Sequence, residues 1–249
     1  MPRGTLTLQG DPIPVSAPPY PTSTNQFSGI TVVTIAYRVT LASIQHLIPD
    51  MLEVEDEPLV QSMFLEYGMS TVGAYNEFVH LVEVTYQGRK YDFPIVLILD
   101  NESAIFAGRE VFGYPKVFGR VDIKRSTGNA VLLGSVQRPI GEEAVSFEFL
   151  PERRADAPPP SPSTAAKLVL NLRVIPSAVP GQPPAVRELV PVQMDMELKD
   201  IWYGKGRVSF PKKSLINPWA DADIIKYEAA WFAEGVSAVL QDPVQTFVI

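Results

Sequence analysis

Short runs of β-branched and aromatic residues follow one another along this chain, many separated by little more than a turn. Gly29–Arg38 (GITVVTIAYR) is the first, and its composition marks a strand. Leu59–Tyr67, Glu77–Tyr86, Tyr91–Leu99, Val117–Ile123, Ala130–Gln137 and Ala144–Leu150 continue the series. Leu168–Ile175, Val190–Leu198 and Arg207–Phe210 complete it. Gln87-Gly88-Arg89 and Ser126-Thr127-Gly128-Asn129 read as turns between neighbouring runs. Strands joined by tight turns are antiparallel neighbours, because a parallel return needs a long crossover. The expectation is an α+β chain, mainly antiparallel β with a few short helices, rather than a βαβ fold. No glycine-rich phosphate loop follows a strand.

Two short helices fit between the strands. Thr40 can cap a helix over Leu41–Leu47, which Pro49 stops. Asp100 or Asn101 can cap a second, with Glu102 in its first turn and an end near Glu110. Residues 222–240 read as a strand followed by a short helix. Val82, Val84 and Tyr86 alternate with Glu83 and Thr85, which predicts one wet face on that strand. Residues 1–27 read as an irregular arm. Residues 151–164, with Pro151, Pro158, Pro159, Pro160 and Pro162, read as an exposed loop excluded from a sheet interior. No internal repeat is visible, and residues 1–249 are expected to form a single domain.

The 249 residues are enough for a sizeable core, and 46% hydrophobic with 20% charged is a soluble globular balance. There are no cysteines, which excludes disulfides, thiolate metal sites and a cysteine nucleophile. The formal charge of −7 argues against a nucleic-acid surface. The one dense basic pair, Lys212-Lys213, reads as a solvated turn. No apolar run approaches the ~20 residues of a membrane span, and Met1–Pro21 lacks the apolar core of a signal peptide. A cytoplasmic protein without a membrane or nucleic-acid partner is expected.

Candidate chemistry centres on Gly108-Arg109-Glu110-Val111-Phe112-Gly113-Tyr114-Pro115-Lys116. A lysine among apolar residues loses its proton more readily, because burial disfavours the ammonium form. The neutral amine is a nucleophile toward carbonyl carbon. Against this, a Pro-Lys step in a turn is common and most lysines are solvated. The carboxylates Glu66, Glu77, Glu83 and Glu110 are mostly expected to be solvated or paired. Glu77 stands out because it opens a strand after Ala74-Tyr75-Asn76. With only His46 and His80 and no cysteine, a metal site is not expected. A lone histidine in a short helix or a strand is most often structural. No G-x-S-x-G elbow serves a serine triad.

The stretch Leu99–Gly119, LDNESAIFAGREVFGYPKVFG, resembles the acetoacetate decarboxylase family, whose signature runs LDNE-x-A-x-x-x-GRE-x-x-x-YPK. Tyr37-Arg38, Glu57-Pro58-Leu59-Val60, Tyr75-x-Glu77, Leu172-Arg173-Val174-Ile175-Pro176 and Arg187-Glu188-Leu189 extend the likeness over roughly residues 17–245. The resemblance implies a closed, cone-like antiparallel β-barrel with small helices, assembled as a homo-oligomer. It implies that Lys116 forms a Schiff base with a keto-acid or ketone substrate, and that no cofactor or metal is required. Acetoacetate decarboxylase is itself the known case of a lysine activated by desolvation or a neighbouring cation.

The departures from the family pattern matter as much. The family's decarboxylases have a second lysine where this chain has Val117, an arginine where it has Ile30, and a glutamate where it has Met63. Glu77 matches their second active-site glutamate. Lys116 and Glu77 are therefore the expected catalytic pair. Ile30, Met63, Phe112, Tyr114 and Val117 are expected to line a greasier pocket, with Phe112, Tyr114, Val117 and Phe118 desolvating the amine. Arg109 and Glu110 are expected to support the helix that presents Lys116. The leading expectation is decarboxylation of a β-keto acid larger or more apolar than acetoacetate. Aldolase-dehydratase or retro-aldol chemistry through the same imine is the alternative. A non-catalytic small-molecule-binding barrel is a third reading.

Overall fold

The computed structural model describes residues 1–7, 10–23, 25–157, 167–211 and 214–249. Lys212-Lys213 and Pro158, Pro159, Pro160 and Pro162 lie outside the described residues. The strands are β1 (Asn25–Val39), β2 (Leu59–Ser70), β3 (Tyr75–Tyr86), β4 (Arg89–Leu99), β5 (Lys116–Phe118), β6 (Arg120–Arg125) and β7 (Leu132–Gln137). They continue as β8 (Glu143–Ala155), β9 (Val169–Ile175), β10 (Val186–Val192), β11 (Met194–Glu197), β12 (Ile201–Ser209), β13 (Ile224–Leu240) and β14 (Phe247–Val248). The helices are α1 (Leu41–Ile44), continued by a 3₁₀ turn over Gln45–Leu47, and α2 (Glu102–Glu110). No helix among the described residues is long and apolar enough to cross a membrane.

All the strands join one sheet, in the order β14-β10-β9-β4-β3-β2-β1-β13-β12-β8-β7-β6, with β11 added to β13 and β5 to β4. The expected mainly β architecture with few helices is found. The expected closed barrel is not closed by hydrogen bonds, since this path ends at β14 and β6. The β6 end instead rolls over β3, where Asn76 Nδ2 donates to the Val121 carbonyl at 2.9 Å.

Both faces of the central strands are buried. Val33, Ile35, Phe64, Phe78, Val82 and Ile98 pack with Phe147 and Phe149 from β8 in one core. Ile30, Leu65, Tyr67, Val79, Leu97 and Leu99 form a second core on the other face, with Phe112. Strands buried on two sides read as near-continuous apolar runs. That explains why the wet face expected on β3 is absent over most of its length. Glu83 is buried against Lys90 Nζ at 2.5 Å and against Lys167.

Four other expectations change. Residues 224–240 form one 17-residue strand, with no helix. The alanines there suit a helix by propensity, but pairing with β1, β11 and β12 overrides it. Pro151 does enter the sheet, opposite Gly204 beside a register shift in the β8–β12 ladder, where a missing N–H costs least. Thr40 precedes α1 but makes no side-chain cap, its hydroxyl reaching Asp223 Oδ2 at 3.4 Å. The arm ends as β1 begins at Asn25, and its Tyr20 hydroxyl donates to Glu110 Oε2 at 2.7 Å.

One further difference positions the site. β5 pairs with β4 in parallel, Leu97 opposite Lys116 and Ile98 opposite Val117. A parallel neighbour needs a crossover, and α2 supplies it. The chain therefore contains one local β4–α2–β5 unit inside an otherwise largely antiparallel sheet.

Candidate active site

The crossover fixes Lys116 from several sides. Asn101 caps α2, its side chain accepting from Ala104 N at 2.9 Å while its Nδ2 donates to Val72 O at 2.9 Å. At the other end, Tyr114 N donates to Gly108 O at 2.9 Å and Lys116 N to Tyr114 O at 2.8 Å. The turn between them lies against β9. Asn171 Nδ2 donates to Phe112 O and Arg173 Nε to Glu110 O, at 2.9 and 2.7 Å. Gly113 takes φ +76°, and a Cβ there would stand 2.6 Å from Arg173 Cβ and 2.9 Å from its Cα. Glycine meets both demands.

Lys116 is 8% exposed and Glu77 3%. The Lys116 Nζ stands 2.9 Å from Glu77 Oε1. This is an ion-pair approach whose angles fall outside hydrogen-bond geometry, so Oε1 has no hydrogen-bond partner among the described residues. The other carboxylate oxygen, Oε2, accepts from the Tyr67 hydroxyl at 3.1 Å. The amine also faces the rings of Tyr114 and Tyr75, 5.6 and 5.8 Å from their centroids. Burial pushes the Tyr67, Tyr75 and Tyr114 phenols well above their ordinary range, and the Glu77 charge adds to this. All three are neutral hydroxyls at neutral pH. The lysine stem runs against Gly108, where a Cβ would lie 2.5 Å from Lys116 Cδ.

Asn25, Phe27, Val72, Tyr75, Ala104, Ala107, Gly108, Phe112, Tyr114 and Leu240 enclose about 30 Å³ beside Lys116. That is room for about one ordered water. Larger depressions lie elsewhere on the surface, lined by residues such as Asp195 and Glu197 or Lys205 and Glu228. The small one is the candidate site, because it is lined by Lys116, whose buried amine meets the buried Glu77 carboxylate.

The structure sorts the expected residues. Lys116, Glu77, Phe112 and Tyr114 come together. Arg109 Nη1 donates to the Lys116 carbonyl at 3.1 Å, and Glu110 holds the arm through Tyr20 and the turn through Arg173, as supporting residues would. Ile30 is fully buried opposite Tyr67, and Met63 sits opposite Val79. Both pack in the same core as Phe112, but neither lines the cavity.

Val117 does not join them. It packs on the opposite core and lines a cleft with Arg109, Arg138 and Trp219, because successive strand residues point to opposite faces. The amine's surroundings are accordingly not the purely apolar ones expected, since a carboxylate touches it and Val117 does not desolvate it.

Tyr67, Tyr75, Asn171 and Gly108 were not among the expected site residues. Tyr75 lies two residues before Glu77 on one strand, a spacing that places both on one face. Tyr67 meets Tyr75 only through the β2–β3 register, with ring centroids 4.5 Å apart. His80 is fully buried, its Nδ1 3.2 Å from Ser62 Oγ, and burial lowers it to about 3, so it is a neutral structural group. Among the described residues, no three His, Asp or Glu side chains converge as metal ligands.

A family model described as acetoacetate decarboxylase (ADC) matches residues 12–245. The chain belongs to the acetoacetate decarboxylase family. A relative within reach of whole-length comparison is the decarboxylase DEC1 of Cochliobolus heterostrophus, 38% identical over 228 residues, which cover 90% of this chain and 89% of that protein. A solved acetoacetate decarboxylase superposes with a TM-score of 0.83 at 22% identity, covering 96% of this chain and 94% of the other. The enduracididine biosynthesis enzyme MppR, complexed with the condensation product of pyruvate and imidazole 4-carboxaldehyde, gives a TM-score of 0.79 at 18% identity, covering 99% and 98%. These two likenesses establish the family's fold and leave the reaction to be argued from the site.

Proposed function

We propose that this family member decarboxylates a β-keto acid through a Schiff base on Lys116, with Glu77 moving the protons. The observation that carries the reading is the 2.9 Å approach of a buried lysine amine to a buried carboxylate. Glu77 takes a proton from the Lys116 ammonium and frees the amine as nucleophile. The amine attacks the ketone carbon to give a carbinolamine. Glu77 returns the proton to the departing hydroxyl, which leaves as water, and the iminium forms. The bond to the carboxylate then breaks, its electrons flow to the iminium nitrogen, and carbon dioxide departs. A proton supplied from solvent through Glu77 reaches the enamine carbon, and water hydrolyses the iminium to ketone and Lys116 ammonium.

The cavity wall supports decarboxylation over imine chemistry that retains the acid group. Among the described residues Lys116 is the one cation lining it, and Phe27, Val72, Ala104, Ala107, Phe112 and Leu240 are apolar. A substrate carboxylate placed against such a wall is poorly solvated, and its loss as carbon dioxide relieves that. The same wall favours an apolar chain on the substrate. Borohydride in the presence of a ketone ligand should add mass at Lys116, and β-keto acids should release carbon dioxide. Absence of the adduct removes the imine route, and absence of carbon dioxide as well leaves a non-catalytic small-molecule-binding protein. Product from pyruvate plus an aldehyde, without carbon dioxide, assigns aldolase-dehydratase chemistry instead.

A further inference from the structure

Glu77 has two oxygens in two environments. Oε1 faces the Lys116 amine at 2.9 Å and has no hydrogen bond of good geometry, while Oε2 is held by the Tyr67 hydroxyl at 3.1 Å. Tyr67 is 4% exposed, and its ring lies between Phe27 and Tyr75, with centroids at 5.1 and 4.5 Å. Its orientation is thus set by packing on two sides. β2 places Tyr67 next to the ladder position of Glu77, whose cross-strand partner is Leu65. A neutral phenol beside a carboxylate can only donate to it. A donor locked onto one oxygen fixes the carboxylate plane and leaves the lone pairs of the other free toward the amine.

We propose that Tyr67 is a positioning residue for the decarboxylation, holding Glu77 so that Oε1 alone exchanges protons with Lys116 and the substrate. This rests on the Schiff-base reading given above. Tyr67 forms and breaks no covalent bond in it. When Glu77 gives its proton to the departing hydroxyl or to the enamine carbon, negative charge returns to the carboxylate, and the Tyr67 hydrogen bond strengthens as it does so. A neutral hydrogen bond that becomes charge-assisted in this way favours the proton-delivering steps over the transiently protonated acid. Among the described residues the Tyr67 hydroxyl is the hydrogen-bond donor found at Oε2.

The test is a double-mutant cycle on the full chain with Tyr67→Phe, Glu77→Gln and the pair. Tyr67→Phe removes the hydroxyl and keeps the ring between Phe27 and Tyr75. It should lower kcat by about tenfold to a hundredfold, the range for a hydrogen bond to a charged group. KM and the end-point yield of borohydride adduct on Lys116 should stay near wild type, because the lysine and the cavity wall are kept and reduction traps each imine irreversibly, while the rate of adduct formation falls. In the Glu77→Gln background the same change should cost little more, since no carboxylate remains to position.

Wild-type kcat in Tyr67→Phe overturns the proposal. So does full additivity of the two changes, which would make Tyr67 act elsewhere. A fall in kcat matched by an equal rise in KM and by loss of the Lys116 adduct would show a packing role only, and also overturns it. These outcomes differ from failure of the Schiff-base reading, in which the wild-type chain itself yields neither adduct nor carbon dioxide.

Discussion

Replacing Gly108 by alanine should separate catalysis from folding. The glycine lies in α2, and the Lys116 stem passes over it. A Cβ there would stand 2.5 Å from Lys116 Cδ and 2.7 Å from Cε, against 3.4 Å for ordinary contact. The lysine stem must therefore retreat by about 0.7–0.9 Å, and a misplacement of about 1 Å at a reacting group costs on the order of a hundredfold. The stem cannot swing freely, because Nζ is in contact with Glu77 and the aromatic rings of Tyr75 and Tyr114 flank it. The helix itself gains from the change, alanine being favoured over glycine by up to about 1 kcal/mol in a helix interior. Gly108→Ala is thus expected to keep a melting temperature within about 2–4 °C of wild type while kcat for carbon dioxide release falls about a hundredfold. Initial rates, the mass of the borohydride-reduced protein and a thermal melt on one preparation give all three quantities. Full kcat with an unchanged adduct would refute the claim that the Gly108 contact sets the lysine's position. A collapsed melting temperature would refute the claim that the clash is confined to the lysine.

Three further changes have expected outcomes. Burial lowers His80 to about 3 from about 6.5, so below pH 6.5 the unfolded chain takes up a proton that the folded chain refuses. Stability from this group is complete above pH 6.5 and declines toward pH 3 by about 1.4 kcal/mol per pH unit. Urea midpoints at pH 7, 5 and 4 should therefore fall less steeply in His80→Asn, and identical slopes would contradict the assignment. Lys167→Met leaves Asp92 without its 3.5 Å cation and Glu83 with Lys90 alone. Breaking a buried pair from one side should destabilise the fold by about 3–5 kcal/mol, and Glu83→Gln in the same chain should recover part of it; a urea midpoint equal to wild type would show that the cluster is solvated. Val117→Lys should leave turnover near wild type, because residue 117 faces the cleft of Arg109 and Arg138 rather than the amine. A large change in the pH dependence of kcat in that variant would mean that charge at 117 reaches Lys116.

Local pattern made most of the strands legible. β-branched runs such as Gly29–Arg38 and Tyr91–Leu99 lie within β1 and β4, and Asn101 caps α2 where a short polar side chain before Glu102 predicts it. The errors share one cause. Residues 224–240, Pro151 and Glu83 each follow a local rule that neighbours distant in sequence override, through the β1 and β11 ladders, a register shift against β12, and Lys167, respectively. A ladder partner more than a hundred residues away leaves no periodicity in the strand it pairs with.

The site divides along the same line. The family resemblance by itself singled out Lys116 through its signature and Glu77 through a separate match as the expected catalytic pair, and the spacing within Gly108–Lys116 already put Arg109 and Glu110 close to the lysine in sequence. Which face each residue takes was decided only by the tertiary structure. The parallel pairing of β5 with β4 turns Lys116 toward one core and Val117 toward the other, although they are adjacent in sequence. The β2–β3 register brings Tyr67 to Glu77, and α2 brings Gly108 under the lysine stem. A sequence lists which groups are available. The distance between an amine, a carboxylate and a phenol depends on backbone register and crossover geometry, and those are set by the burial of both faces of the sheet.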